Sequence, residues 1–280
     1  MTHTAAELID LKTYPIHQAG PVRDAVIAQV RADLARDGCA VLRGFLTPTA
    51  IKQLTSEADS VADQGHRSFS KTNAYFTQDD PNLPEDDPRR QFYERSNTFI
   101  PADNFATDGP LRTIHDAPGF DGFIQDCLQE AAFYRYADPL ADVIVNMAEQ
   151  GNGFPWHFDT NNFTVTMAIQ NAESGGAFEY APGIRAGGEN FREVARVLNG
   201  TSDKVTVLEL HPGDLQLFRG RYSLHRVAPL RGSRRRYVAI LSYVEEPGMV
   251  GAPERTRQLY GRTLPIHHER AGCRADAYID

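Results

Sequence analysis

The spacing of the hydrophobic positions changes near residue 142. Before that point apolar residues recur at helical intervals. Over 21–37, Val22, Ala25, Val26, Val30 and Leu34 fall on one helical face, with Pro21 suited to the first helical position and Gly38 to the stop. The run 39–45 reads as a strand. Residues 47–65 read as a second helix with Ile51, Leu54, Ala58, Val61 and Ala62 on one side, and a third helix is predicted over 119–132. Residues 66–90 are polar and aperiodic, crowded by Asp79, Asp80, Pro81, Pro84, Glu85, Asp86, Asp87 and Pro88. They predict a solvated loop, of the length at which active-site lids occur.

Beyond 142, short apolar runs recur at 143–148, 163–170, 177–180, 205–210, 215–218, 223–227 and 237–244. Turn signals at Ser174-Gly175-Gly176 and Pro212-Gly213-Asp214 separate them, and one amphipathic helix at 190–198 interrupts. Short strands without a crossover helix after each predict an antiparallel sandwich or barrel, not a doubly wound parallel sheet. The expected fold is α+β with a mainly β core. One domain is expected over 1–280: a mainly helical part to 140, the β core over 141–250, and a C-terminal extension.

Composition narrows the function classes. With 41% hydrophobic and 24% charged residues, the chain is of the folded globular kind. No run approaches the roughly 20 apolar residues of a membrane helix, and the first residues carry neither the basic nor the apolar segment of a secretory leader. Three widely separated cysteines, Cys39, Cys127 and Cys273, exclude a disulfide framework and a cysteine zinc knuckle, and predict a cytoplasmic location. A net charge of −8 disfavours nucleic acid as a partner. The local exception is the basic cluster Arg231, Arg234, Arg235 and Arg236.

Candidate chemistry centres on Trp156-His157-Phe158-Asp159. Residues i and i+2 of a strand share a face, so His157 and Asp159 can hold one ion together. His225 lies in another candidate strand that antiparallel pairing can bring alongside. Two imidazoles and one carboxylate on one side of a metal leave positions open, the arrangement of non-haem iron(II) oxygenases. An H-x-D tripeptide alone is common, and the same donors suit a zinc hydrolase. The downstream arginine adds specificity, because a guanidinium matches the far carboxylate of 2-oxoglutarate. Of Arg234, Arg235 and Arg236, Arg236 shares parity with Val238 and Ile240 and leads directly into a strand, so it is the preferred candidate. Asn146 and Thr166 flank the ligand-bearing segments and are candidate 2-oxoglutarate contacts.

Residues 156–165, 175–182 and 212–227 resemble the iron(II)/2-oxoglutarate oxygenases of the amino-acid halogenase and lysine hydroxylase group. Residues 136–140, 257–262 and 267–270 are similar to the same group. The resemblance implies a double-stranded β-helix (jelly roll, cupin-like) core, with Fe(II) as cofactor and 2-oxoglutarate and O2 as cosubstrates. It also implies hydroxylation of an unactivated C–H of a small polar metabolite, most simply a free L-amino acid. Radical halogenases of this group carry glycine where this chain has Asp159, so hydroxylation rather than halogenation is the expected outcome. The resemblance further places Arg95 at a substrate carboxylate, Tyr260 near the substrate, and Phe154 and Thr160 among the substrate-facing residues. Phe154 is apolar where a lysine-specific member has a polar contact, which argues against lysine itself. Glu179 is expected beside the metal ligands or bracing Arg219 or Arg221. His3, His17, His66, His115, His211, His267 and His268 are expected to be structural or exposed. Desaturation, a nucleotide-type substrate and a non-catalytic small-molecule sensor are the alternatives on the same scaffold.

Overall fold

A computed structural model describes residues 3–269; Cys273 and the last residue of the stretch 267–270 lie outside them. In chain order the helices are α1 (Ala5–Leu8), α2 (Pro21–Asp37), α3 (Pro48–Val61), α4 (Pro110–His115), α5 (Phe120–Leu128), α6 (Phe191–Leu198), α7 (Pro253–Tyr260) and α8 (Pro265–Glu269). The strands are β1 (Cys39–Leu42), β2 (His66–Thr72), β3 (Tyr93–Ile100), β4 (Tyr134–Arg135), β5 (Val143–Ala148), β6 (Phe154–His157), β7 (Thr164–Gln170) and β8 (Ser174–Gly175). They continue with β9 (Phe178–Ala181), β10 (Thr206–Leu208), β11 (Leu215–Phe218), β12 (Leu224–Val227), β13 (Leu230–Arg231), β14 (Arg236–Leu241) and β15 (Tyr243–Val244).

Two antiparallel sheets form the core. The major sheet has the order β1-β11-β7-β14-β5-β3-β2, the minor sheet β10-β9-β12-β6. This is the sheet-rich, helix-flanked core of the jelly-roll expectation. The period of two sorts each central strand of the major sheet between two environments. Val143, Val145, Met147, Val165, Met167, Leu215, Leu217, Tyr237, Ala239 and Leu241 join the buried cluster that holds α2 to α5. Their alternates Asn146, Thr166, Gln216, Arg236, Val238 and Ile240 line a cavity facing the minor sheet. β5 is therefore buried at every position.

Helix α2 runs over the predicted residues and stops at Gly38, whose φ of 65° is the left-handed geometry glycine favours. Its buried face differs from the predicted one. Ile27, Val30 and Leu34 are buried while Val22 is 53% exposed. The helix is rotated so that Arg23 and Arg31 reach the Asp126 side chain and carbonyl at the end of α5. The predicted loop 66–90 also needs correction: β2 and the short helical turn Pro88–Arg90 occupy its two ends. Cys39 and Cys127 are buried free thiols, and no described helix is long and apolar enough to cross a membrane.

Candidate metal centre

Three side chains converge at the mouth of the minor sheet. His225 on β12 pairs directly opposite His157 on β6, which brings the ring centroids to 4.1 Å. The ladder shifts register after this pair, so Val227 sits opposite Phe154. That bulge turns Phe154 and His157, three residues apart, to the same cavity. β6 ends at His157, so Asp159 lies just past the strand. Its amide donates to the Gly220 carbonyl at 3.1 Å, which keeps it on the cavity side. Asp159 Oδ1 is 3.5 Å from His157 Nε2 and 3.4 Å from His225 Nε2. Among the described residues this is the one cluster of three or more metal-ligating groups.

The outer contacts fix which atoms face inward. His157 Nδ1 lies 2.8 Å from the Pro155 carbonyl and His225 Nδ1 2.9 Å from that of Ser223. A carbonyl only accepts, so each Nδ1 carries the proton and each Nε2 offers its lone pair. Thr164 donates its hydroxyl to Asp159 Oδ2, leaving Oδ1 for the centre. Burial, with His225 beside it, pushes the His157 imidazole down to about 3. Burial alone would raise the Asp159 carboxyl; without a metal, a proton held by the facing imidazoles keeps it well below the usual range, and a cation would take that proton's place. A neutral His157 and an ionised Asp159 are the forms a cation needs. The donor set fits iron(II) on chemistry alone: two nitrogens and one carboxylate oxygen beside an open space.

That space is a cavity of about 230 Å³. Of the three adjacent arginines, Arg234 donates to the Asn171 and Ala172 carbonyls and Arg235 pairs with Glu149. Arg236 alone of the three is buried and lines the cavity, together with Val238 and Ile240 as parity required. Desolvation pushes its guanidinium down to about 10. Thr166 donates to Gln216 Oε1 at 3.1 Å and Asn146 to the Thr98 carbonyl at 3.4 Å; both line the cavity on the major sheet, Asn146 opposite Val238 and Thr166 opposite Ile240, further along β14 from Arg236. Arg95, Phe154 and Thr160 line it too.

Two residues lie elsewhere. Tyr260 is outside the lining; it packs edge-on against Phe99 in an apolar cluster with Leu140, Ala141 and Ile144. Its helix instead presents Arg255 and Leu259 to the cavity. Glu179 braces neither Arg219 nor Arg221 but pairs with Arg226 at 2.7 Å. The sequence reading missed Phe76, Gln216, Gly220 and Arg255. Gln216 had a signal, a lone polar residue within the apolar run 215–218. Phe76 lies in a stretch read as solvated, and Arg255 in a tail with several arginines and no pattern to choose among them.

The sequence matches a family model described as Halogenase D over residues 22–251. The chain belongs to the Halogenase D family. No curated protein matches it in sequence. In structure it is similar to the non-heme alpha-ketoglutarate-dependent carbocyclase SnoK from nogalamycin biosynthesis, with 12% identity, 80% of this chain and 87% of that chain covered, and a TM-score of 0.56. It is also similar to a prolyl hydroxylase from Trichoplax adhaerens in complex with a hypoxia inducible factor peptide, at 16% identity, 80% and 90% coverage and a TM-score of 0.52. A third similar structure is HygX from Streptomyces hygroscopicus with nickel, 2-oxoglutarate and hygromycin B bound, at 10% identity, 77% and 86% coverage and a TM-score of 0.52. These likenesses show the shared fold. With family, fold and donor set in agreement, this Halogenase D family member is an Fe(II)/2-oxoglutarate oxygenase by cofactor and cosubstrate.

Proposed function

We propose that this Halogenase D family member is a hydroxylase rather than a halogenase, acting on a C–H bond of a small carboxylate-bearing metabolite such as a free amino acid. One observation carries the reading: Asp159 brings a carboxylate oxygen within 3.5 Å of both imidazole Nε2 atoms. It stands where halogenases of the resembling group have glycine and room for a halide. A third protein ligand fills that room and adds a negative charge that opposes an anion on the metal.

Bound iron, with 2-oxoglutarate as electron donor, supplies O2 activation and C–H oxidation. The chain supplies position. His157, Asp159 and His225 hold the metal on the minor sheet. Arg236, across the cavity on β14, bonds the far carboxylate of 2-oxoglutarate, and Asn146 and Thr166, further along the same sheet face, contact the cosubstrate between Arg236 and the metal. Arg95 takes the substrate carboxylate, and Phe154, its ring tilted 30° to that of His157 with centroids 4.0 Å apart, and Phe76 keep water from the reacting face. Thr160 borders the same space. The cavity's 230 Å³ is below the roughly 300–1,000 Å³ typical of drug-sized ligand sites, which suits a small metabolite beside the cosubstrate.

Turnover in abundant chloride and, separately, bromide tests the reading. The expected product is heavier by one oxygen atom, formed with one succinate and one CO2 per turnover, and carries no halogen. A halogenated product from the unmutated protein would overturn it.

A further inference from the structure

Two guanidinium groups share one end of the cavity with no ion-pair partner among the described residues. Arg95 is 4% exposed, and Arg255 on α7 lines the same space. Both lie over one ring: their guanidinium carbons are 5.1 and 4.8 Å from the Phe76 centroid. Arg95 also lies 4.1 Å from the Phe154 centroid. Arg255 donates to Gln258 at 3.1 Å, and Arg95 Nε is buried with no hydrogen-bond partner. Among the described residues neither arginine forms an ion pair. Phe76 itself has φ of 60°, a backbone geometry that bulky residues avoid and that persists where the surroundings enforce it. The two cations are thus held on a fixed aromatic plate, a favourable seat for each charge but not a neutralising one.

The charges around the cavity do not balance without a ligand of a particular kind. Iron(II) and doubly ionised 2-oxoglutarate cancel. The lining sets three guanidinium groups, Arg95, Arg236 and Arg255, against the one carboxylate of Asp159, which offsets part of the charge on Arg95, so a surplus of two positive charges remains. A neutral zwitterionic amino acid would bring no net charge to offset them. Asp159 is the one carboxylate among the lining residues, and as a metal ligand it is not available to a substrate ammonium. Two like charges against one ring, one of them buried and the other partly so, are costly to keep unless an anion joins them. The strain is visible in Arg95, whose guanidinium is pushed down to about 9 by burial and by Arg255 beside it.

We propose that Arg95 and Arg255 form a two-anion site, so that the substrate carries a second acidic group, a carboxylate or a phosphate monoester, and no cationic side chain. The assignment rests on the oxygenase reading for the charges of iron and 2-oxoglutarate, but its test is one of binding and needs no turnover.

Protein loaded anaerobically with Fe(II) and 2-oxoglutarate would first be checked for the weak visible charge-transfer band of that complex. Calorimetric titration with glutamate, O-phosphoserine, leucine and lysine follows. The doubly acidic probes should bind about 10-fold or more tightly than leucine or lysine, the order expected for one extra charge-assisted contact. The better of glutamate and phosphoserine identifies the second group. Arg255→Gln should remove that preference while leaving leucine binding within about twofold, and Arg255→Lys should restore part of it. Binding of leucine or lysine equal to that of glutamate and phosphoserine, an Arg255→Gln effect common to all four probes, or no binding by any of them, overturns the two-anion site. Absence of the charge-transfer band would instead overturn the oxygenase reading beneath it.

Discussion

The carboxylate of Asp159 reaches the imidazoles because residue 220 has no side chain. A Cβ built on Gly220 would stand 1.8 Å from Asp159 Oδ2 and 2.6 Å from its Cγ, closer than any real contact. Gly220 has an ordinary backbone conformation, so the requirement is space and not φ. The glycine positions the ligand and touches neither metal nor substrate. Gly220→Ala should therefore weaken iron(II) binding by about as much as Asp159→Gly does, since either change takes the third ligand away. In the double variant the alanine should cost little more, because the atom it displaces is gone. Equilibrium titration of iron into the four proteins of this cycle reads the coupling directly. Equal penalties for Gly220→Ala with and without Asp159 would show that the methyl group harms the fold and not the carboxylate.

At the scale of elements, the sequence showed those whose burial follows apolarity and hid those whose burial serves the cavity. β5, β11 and α2 were read at the residues they occupy, antiparallel pairing sets His225 opposite His157, and parity sets Arg236 on the cavity face; Asp159 comes from just past β6 and not by the strand parity expected of it. β2 and β3 were not seen. In β2 the buried residues are Ser68 and Thr72 while Phe69 is 66% exposed, the reverse of the pattern a strand is recognised by. In β3 the polar residues Arg95, Asn97 and Thr98 are buried, and Arg95 lines the cavity. The connection 73–92 is likewise pinned at both ends. Asn73 bonds Tyr75, Thr77 and the Arg89 carbonyl, and Arg89 lies 4.0 Å from the Phe191 centroid on α6. Only its middle, around Asp79 to Asp86, is broadly solvent-facing. Hydrogen exchange should thus change locally when substrate joins the iron and 2-oxoglutarate complex. Protection is expected at 74–77, next to the Phe76 ring, and none at 79–86. Uniform protection across 66–90 would restore a whole-segment lid, and no change at 74–77 would remove Phe76 from the site.

At the scale of the molecule, the site's parts are divided between the two sheets. His157 and His225 stand on the minor sheet, Arg236, Asn146 and Thr166 on the major one, and 2-oxoglutarate spanning from iron to Arg236 would tie the sheets together. Stabilisation by the two ligands should then be ordered. Fe(II) alone should raise the thermal midpoint, because three ligands from two segments must come together to hold it. 2-Oxoglutarate alone should add little, having lost its metal-binding end. Together, with 2-oxoglutarate at about 100 times its dissociation constant, the increment over iron alone should be about 2.7 kcal/mol. Arg236→Ala should keep the iron increment and lose most of the 2-oxoglutarate increment at the same concentration. The neighbouring Arg234→Ala should lose neither, since its guanidinium bonds carbonyls outside the cavity. Anaerobic melting curves of the three proteins with each ligand combination measure all of this without turnover. If Arg234→Ala lost the 2-oxoglutarate increment and Arg236→Ala retained it, the bridge between the sheets would not run through β14 at Arg236, and the placement of 2-oxoglutarate would have to be moved.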